Sequence, residues 1–218
     1  MFDSLSRLSG QDRYLTIENY LSATISNMAK LYFSYASMNA GKSTMLLQVA
    51  HNYEERGMNA YLLNAQLDNR EEVGKIASRI GVAKDCDTFT PEEDLYQKIS
   101  EKHEEDPIVC VLIDEAQWLS GDQVWQLTRV VDQLGVPVMS YGLRTDFQGK
   151  LFPGSQALLA VADDLREIRT ICHCGRKAIM VLRLDEDGKV IKEGPQNFVG
   201  GNESYDSVCR RHWQEAMD

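Results

Sequence analysis

The chain has 218 residues, 43% of them hydrophobic, enough to bury one medium domain and a small appendage. Its 33 acidic and 23 basic residues give a formal charge of -10, which argues against nucleic acid as a partner and leaves a small anion in a local loop compatible. Five cysteines are too few for a disulfide scaffold, and no apolar run reaches the about 18 residues of a membrane span. Asp3, Ser4, Ser6 and Arg7 interrupt any signal-peptide core, so a reducing cytoplasm is the expected setting.

Residues 1–27 differ in character from the rest of the sequence. Ser9 to Asp12 reads as a loop, and Leu15, Ile17, Tyr20 and Leu21 suit a short amphipathic helix, so the segment reads as a loosely attached extension. Leu31, Tyr32 and Phe33 then form an apolar strand leading into Ala36-Ser37-Met38-Asn39-Ala40-Gly41-Lys42-Ser43-Thr44. This is a strand, a tight loop and a helix in succession, the setting of a phosphate-binding loop. Backbone N–H groups from Ser37 to Thr44 would face phosphates, Lys42 would add a cation, and Ser43 would ligate Mg²⁺. The usual pattern has Gly where Ala36 stands, five positions before Gly41.

The next helix is expected over Ser43 to Arg56, stopped by Gly57, and the next strand is Ala60 to Ala65. Gln66 to Arg70 is a polar loop in which Arg70 is placed to reach a phosphate or to stay solvated, and Arg79 carries the same two readings. Thr90, Pro91 and Glu93 read as a capping box opening a helix that runs to about His103, itself expected at the surface. The strand Ile108 to Ile113 ends in Asp114-Glu115-Ala116-Gln117. Six apolar residues followed by two carboxylates have the form of a Walker B strand, with Asp114 toward Mg²⁺ and Glu115 available as a base.

Val124, Leu127, Val130, Val131 and Leu134 repeat at helical spacing before Gly135, and a strand from Val136 to Tyr141 feeds the loop Gly142 to Lys150. Ser155 to Val161 reads as a helix and Arg166 to Ile171 as a strand. Alternation of strands and helices predicts an α/β fold with a mostly parallel sheet.

Near the C-terminus, Cys172 and Cys174 pair with Cys209 and His212 across residues 175–208. Three thiolates and one imidazole suit a structural Zn²⁺, with His173 outside the set; a redox dithiol is the alternative for the first pair. Cys110 reads as a core residue and Cys86 as part of a polar loop. Asp185 to Gly188 marks a hairpin tip, and Gln196 to Tyr205 is a Gly-containing loop clipped at its base by the metal site.

The phosphate loop, Asp68-x-Arg70, Ile113 to Gln117, Tyr141 to Phe147, Ile171 to Ala178 and Gly200-Gly201-Asn202-Glu203-x-Tyr205 together resemble the type II, cytosolic-type thymidine kinases. The motifs occur in family order and span Met28 to Asp218. The resemblance implies a RecA-like P-loop core over residues 28–170, a small zinc-binding lobe over 171–218, and a lasso loop that closes over the nucleoside. It also implies transfer of the ATP γ-phosphate to the 5′-hydroxyl of thymidine, with deoxyuridine tolerated, and a homotetramer. Glu115 is then the general base, and Ser37 to Thr44 with Asp114 and Arg70 hold ATP and Mg²⁺. Met38, Trp118, Leu143, Phe147 and Tyr205 surround the base, and main-chain groups of Gln196, Asn197, Phe198, Val199 and Gly200 read its polar edge. Ala36, Ala116 and Trp118 depart from the family's usual residues. Outside the resemblance, the two Walker elements also fit a RecA-like ATPase acting on nucleic acid, or a zinc-stabilised nucleotide switch.

Overall fold

The computed structural model describes residues 29–67, 73–196 and 204–218. Six strands form one sheet: β1 (Leu31–Ala36), β2 (Ala60–Ala65), β5 (Asp87–Phe89), β6 (Cys110–Ile113), β7 (Val138–Leu143) and β8 (Asp164–Glu167). The order is β5-β2-β6-β7-β1-β8, and every adjacent pair is parallel. A parallel sheet needs both faces covered, which explains why β2 and β6 are almost continuously apolar.

Alternate residues of those strands serve two cores. Leu63, Val111 and Ile113 face α2 (Leu95–Glu105), α3 (Gly121–Arg129) and α4 (Pro153–Val161), through Leu95, Ile99, Val124, Leu127 and Leu158. Leu62, Cys110 and Leu112 face α1 (Lys42–Glu54), through Leu46, Leu47 and Ala50. Cys110 is therefore a core residue, as its strand position suggested.

The apolar periodicity before Gly135 corresponds to α3 followed by a π turn over Val130–Leu134, closed where Gly135 turns to φ 69°. Two boundaries shift for evident reasons. Pro137 has no N–H to give, so the strand expected from Val136 begins at Val138, whose N–H pairs with Lys30 O at 3.1 Å. The strand expected over Arg166 to Ile171 divides: β8 joins the main sheet, while β9 (Thr170–Ile171) pairs antiparallel with β10 (Lys177–Ala178).

The capping box expected at Thr90 is only half formed. Glu93 Oε2 accepts the Thr90 N–H at 3.0 Å, but the helix starts one turn later, where Asp94 caps by accepting from the Gln97 N–H at 3.0 Å. The Gln123 carboxamide explains the delay. It donates to the carbonyls of Thr90 (2.7 Å) and Glu93 (3.0 Å), drawing that turn onto α3 instead of into α2. Gln123 belongs to a complete capping box with Ser120. At the other end of α2, half-buried His103 accepts the Ile108 N–H on Nδ1 at 3.0 Å, so it closes the helix exit rather than serving as a free surface charge.

A small antiparallel hairpin, β3 (Lys75–Ala77) with β4 (Ala83–Asp85), packs Ile76 against the α1 side of the sheet. Toward the C-terminus β11 (Met180–Arg183) pairs with β12 (Tyr205–Val208), and α5 (Arg210–Met217) follows. The hairpin tip expected at Asp185 to Gly188 is present, with the Gly188 N–H donating to Asp185 O at 3.0 Å. Residues 1–27, Asp68, Arg70 and Asn197 to Gly200, all singled out in the sequence, lie outside the described residues. No described helix is long and apolar enough to cross a membrane.

The cap assignment has a direct test. Asp94→Ala should destabilise the chain by about 1 kcal/mol, read from the urea midpoint, and Thr90→Ala should cost clearly less; the reverse ranking would restore Thr90 as the cap.

Candidate functional site

β1, β6 and β7 are adjacent in space, so the loops leaving their carboxyl ends meet at one edge of the sheet. The loop after β1 turns on two residues of positive φ, Asn39 (62°) and Gly41 (84°). A Cβ at Gly41 would meet nothing within 4 Å, so glycine is required there for backbone conformation alone. Ala36 faces no such demand. It is the last residue of β1, paired with Leu143 of β7 and buried, so the missing glycine of the usual pattern costs the loop nothing.

Lys42 opens α1 with only 8% of its surface exposed, and its Nζ donates to Ser37 O at 3.1 Å. This hydrogen bond folds the lysine back over the loop, beside the first turn of α1, whose N-terminal end favours an anion. Ser37 Oγ is buried and has no hydrogen-bond partner among the described residues, a polar atom inside the loop that an anion would satisfy.

Asp114 and Glu115 follow β6 side by side, 3% and 6% exposed. Burial, together with the Glu115 charge, pushes the Asp114 carboxyl up to about 7, against the opposing pull of the Ser43 hydroxyl, the Glu115 N–H and Lys42. The pairing of a serine hydroxyl with a buried carboxylate is a hard-oxygen set that fits Mg²⁺, and a divalent cation would relieve the repulsion between the two carboxylates.

Glu115 itself lies in the left-handed region (φ 49°, ψ 38°) and begins a 3₁₀ turn over Ala116–Trp118. Its Oε2 accepts a short hydrogen bond from Gln117 Nε2. These groups open onto a cavity of about 310 Å³ lined by Met38 to Thr44, Asp114, Glu115 and Leu143. Five further contributors escaped the sequence reading: Asn64 from β2, Ile76 and Ala77 from β3, and Ser78 and Ile80 from the hairpin tip also line it, beside Arg79. Their signal is weak because a three-residue strand next to a turn has no pattern of its own.

The residues assigned to a base are less uniformly gathered. Met38 and Leu143 line the cavity, whereas Trp118, Phe147, Gln196 and Tyr205 are not among its lining residues. Trp118 packs edge-on against Phe152 at 5.3 Å. Phe147 is 3% exposed beneath the Arg183 guanidinium, at 5.4 Å. Gln196 donates from Nε2 to Asp146 Oδ2 at 2.8 Å, and half-buried Tyr205 pairs with Arg183 across the β11–β12 ladder.

The C-terminal tetrad is well assembled. One ligand atom from each of Cys172, Cys174, Cys209 and His212 lies within 4.8 Å of the others, so the cluster could hold a metal ion. The β9–β10 turn presents Cys172 and Cys174, with the Gly175 N–H donating to Cys172 O at 2.8 Å. Cys209 caps α5, which places His212 on its first turn. Burial works against charge on Cys172, but the N–H groups of Cys174 and Cys209 and the His212 imidazole outweigh it and hold the thiol down to about 6. Sulfurs of Cys174 and Cys209 sit 3.9 Å apart, too far for a disulfide and suitable for two ligands of one ion. His173 is outside the tetrad and stacks on His212, ring centroids 4.2 Å apart.

Comparison with known proteins now decides the family. A family model described as thymidine kinase matches residues 29–213. The chain belongs to the thymidine kinase family. Thymidine kinase of Rhizobium meliloti (strain 1021) is 63% identical over 192 residues, covering 87% of this chain and 98% of that protein. The Jannaschia sp. (strain CCS1) thymidine kinase is 61% identical over 190 residues, 87% of this chain and 97% of the relative. That of Shewanella oneidensis is 57% identical over 188 residues, 86% and 98% of the two chains. Each match spans nearly the whole relative, so the family assignment covers the phosphate loop, the carboxylate pair and the cysteine tetrad together.

Two measurements follow from this geometry. Because the folded Asp114 carboxyl lies above its ordinary value of 3.8, its contribution to stability falls as pH rises from about 4 through about 7. Asp114→Asn should therefore raise the melting temperature of the ligand-free protein at pH 8 by a few degrees, with little effect at pH 4. Cys209→Ser should reduce metal released on denaturation from about one ion per chain toward zero, measured with a chromogenic chelator.

Proposed function

We propose that the chain transfers the γ-phosphate of ATP to the 5′-hydroxyl of thymidine, with deoxyuridine tolerated, and that Glu115 is the general base. The observation that carries this reading is the meeting, around one cavity, of the phosphate loop, buried Lys42, the Ser43–Asp114 pair and Glu115 in a member of the thymidine kinase family. Membership supports the acceptor, and the loop chemistry supports a nucleoside triphosphate donor.

In this reading Lys42 and the N–H groups of the loop hold the charge that builds on the transferring phosphoryl. Ser43 and Asp114 would hold Mg²⁺, which when bound would supply positive charge against the phosphates. Glu115 accepts the proton of the 5′-hydroxyl as that oxygen bonds to phosphorus and ADP departs. Met38 and Leu143 take the base-side wall. Trp118, Phe147, Gln196 and Tyr205 keep a base-side role on the strength of the motif likeness, as do Arg70 toward phosphate and Asn197 to Gly200 toward the polar edge of the base. Zn²⁺ in the cysteine tetrad would be structural, since all four positions are filled by protein ligands. The homotetramer and the cytoplasmic setting rest on the same likeness.

Phosphoryl transfer depends more on charge and position than on the base. Glu115→Gln should lower kcat for thymidine by about 10²- to 10⁴-fold while ATP affinity, measured by calorimetry, stays close to that of the parent. Lys42→Ala should impair both. Unchanged thymidine phosphorylation in Glu115→Gln would remove Glu115 as the base.

A further inference from the structure

The carboxylate at Glu115 stands on a backbone that a glutamate adopts at a cost. Its left-handed φ of 49° is one of two positive values among the described non-glycine residues, and such a conformation persists only where neighbours over-determine it. The neighbours here are unusually close. A Cβ at Gly142 would sit 2.9 Å from both the backbone N and the Oε1 of Gln117. A Cβ at Gly154 would sit 2.5 Å from Ala116 O and 2.7 Å from Leu119 O. Two glycines, one in β7 and one in the first turn of α4, thus let the turn after Glu115 wedge between strand and helix. The Ser155 hydroxyl donating to Leu143 O at 2.5 Å secures α4 to the same point of β7.

Gln117 lies at the centre of that wedge with 1% exposure. Its carboxamide is fully directional. Oε1 accepts the Leu143 N–H at 2.9 Å, which fixes which end is oxygen and turns the NH₂ group toward Glu115 Oε2. A donor there fixes Oε2 as an acceptor and so sets the orientation of the carboxyl group. Leu143 and Glu115 both line the cavity, so one buried side chain spans from the cavity wall to the carboxylate. A buried glutamine without partners would be costly, and hydrophobic residues of similar size would fill the space if packing were its only task.

We propose that Gln117 is a positioning residue: it holds the Glu115 carboxylate in register with the Leu143 wall, so that base and nucleoside 5′-hydroxyl are aligned by one hydrogen-bonded bridge. This rests on the reading of Glu115 as the general base. Gln117 touches neither substrate and acts only through Glu115.

The test is a double-mutant cycle on the full-length enzyme with thymidine and ATP-Mg²⁺. Gln117→Leu keeps the volume and removes both hydrogen bonds. It should lower kcat between about 10- and 100-fold with KM for thymidine and ATP within about threefold. In the Glu115→Gln background the same substitution should cost almost nothing further, because a residue that acts through Glu115 has nothing left to align. If Gln117→Leu fails to fold, shown by loss of its thermal transition, the cycle is run with Gln117→Glu, which keeps size and shape but sets a second carboxylate against the first. An unchanged kcat in the folded variant, or a loss that adds fully to that of Glu115→Gln, would overturn the positioning role. A Glu115→Gln enzyme of full activity would instead mark the failure of the base assignment itself.

Discussion

Two neighbouring carboxylates buried at the end of one strand are the constraint that the rest of this site answers. Burying a single charge costs several kcal/mol even after relaxation, and Asp114 and Glu115 are 3% and 6% exposed with their charges adjacent. Each has been given its own compensation. Asp114 lies toward the Ser43 hydroxyl and the Lys42 cation, whereas Glu115 is turned away by a left-handed backbone and held by Gln117. The separation converts a repulsive pair into two groups of different use, one facing the phosphate loop and one facing the cavity wall. A site that is destabilising when empty and relieved by a cation and its ligands is what a binding function needs.

The elements beyond the main sheet, toward the C-terminus, fasten that edge in place. Ser207 of β12 donates to Met38 O at 2.6 Å, a bond from the far end of the sequence into the phosphate loop. Trp213 of α5 donates to Phe147 O at 2.9 Å, and Arg144 donates to Ile179 O at 3.2 Å. Arg183 donates to Pro195 O at 3.3 Å and Gln196 to Asp146, so the stem entering the segment after Gln196 is tied to the loop that follows β7. The small C-terminal core of Ala178, Met180, Leu182 and Val208 is modest in size, and a metal ion held by the cysteine–histidine tetrad at its margin would supply the cross-link such a core requires. Metal in this tetrad would act on the nucleotide edge through these bonds rather than through chemistry of its own.

How far the sequence could be read depended on whether a feature was local. The phosphate loop was visible because Gly41-Lys42-Ser43 sits between an apolar strand and a helix, and the carboxylate pair because it closes an apolar run; both are short-range patterns. Family membership agreed with the motif likeness. Long-range packing set what was misread. The capping box at Thr90 is a correct local signal, overridden by a glutamine 33 positions away on α3. The hairpin tip that brings Ser78 and Ile80 to the cavity carries no periodicity, and the backbone strain at Glu115 is invisible until two glycines from distant elements are seen pressing on its turn. Phe147 carries a contact that its motif did not announce: it is buried beneath the Arg183 guanidinium, a partner 36 positions along the chain.

The most direct measurement is transfer of labelled γ-phosphate from ATP-Mg²⁺ to thymidine, deoxyuridine, deoxycytidine, deoxyadenosine and single-stranded DNA offered in parallel. The account predicts labelled monophosphate from thymidine and deoxyuridine alone. ATP hydrolysis stimulated by DNA, with no nucleoside labelled, would contradict it and make this cavity the site of a nucleic-acid-dependent ATPase.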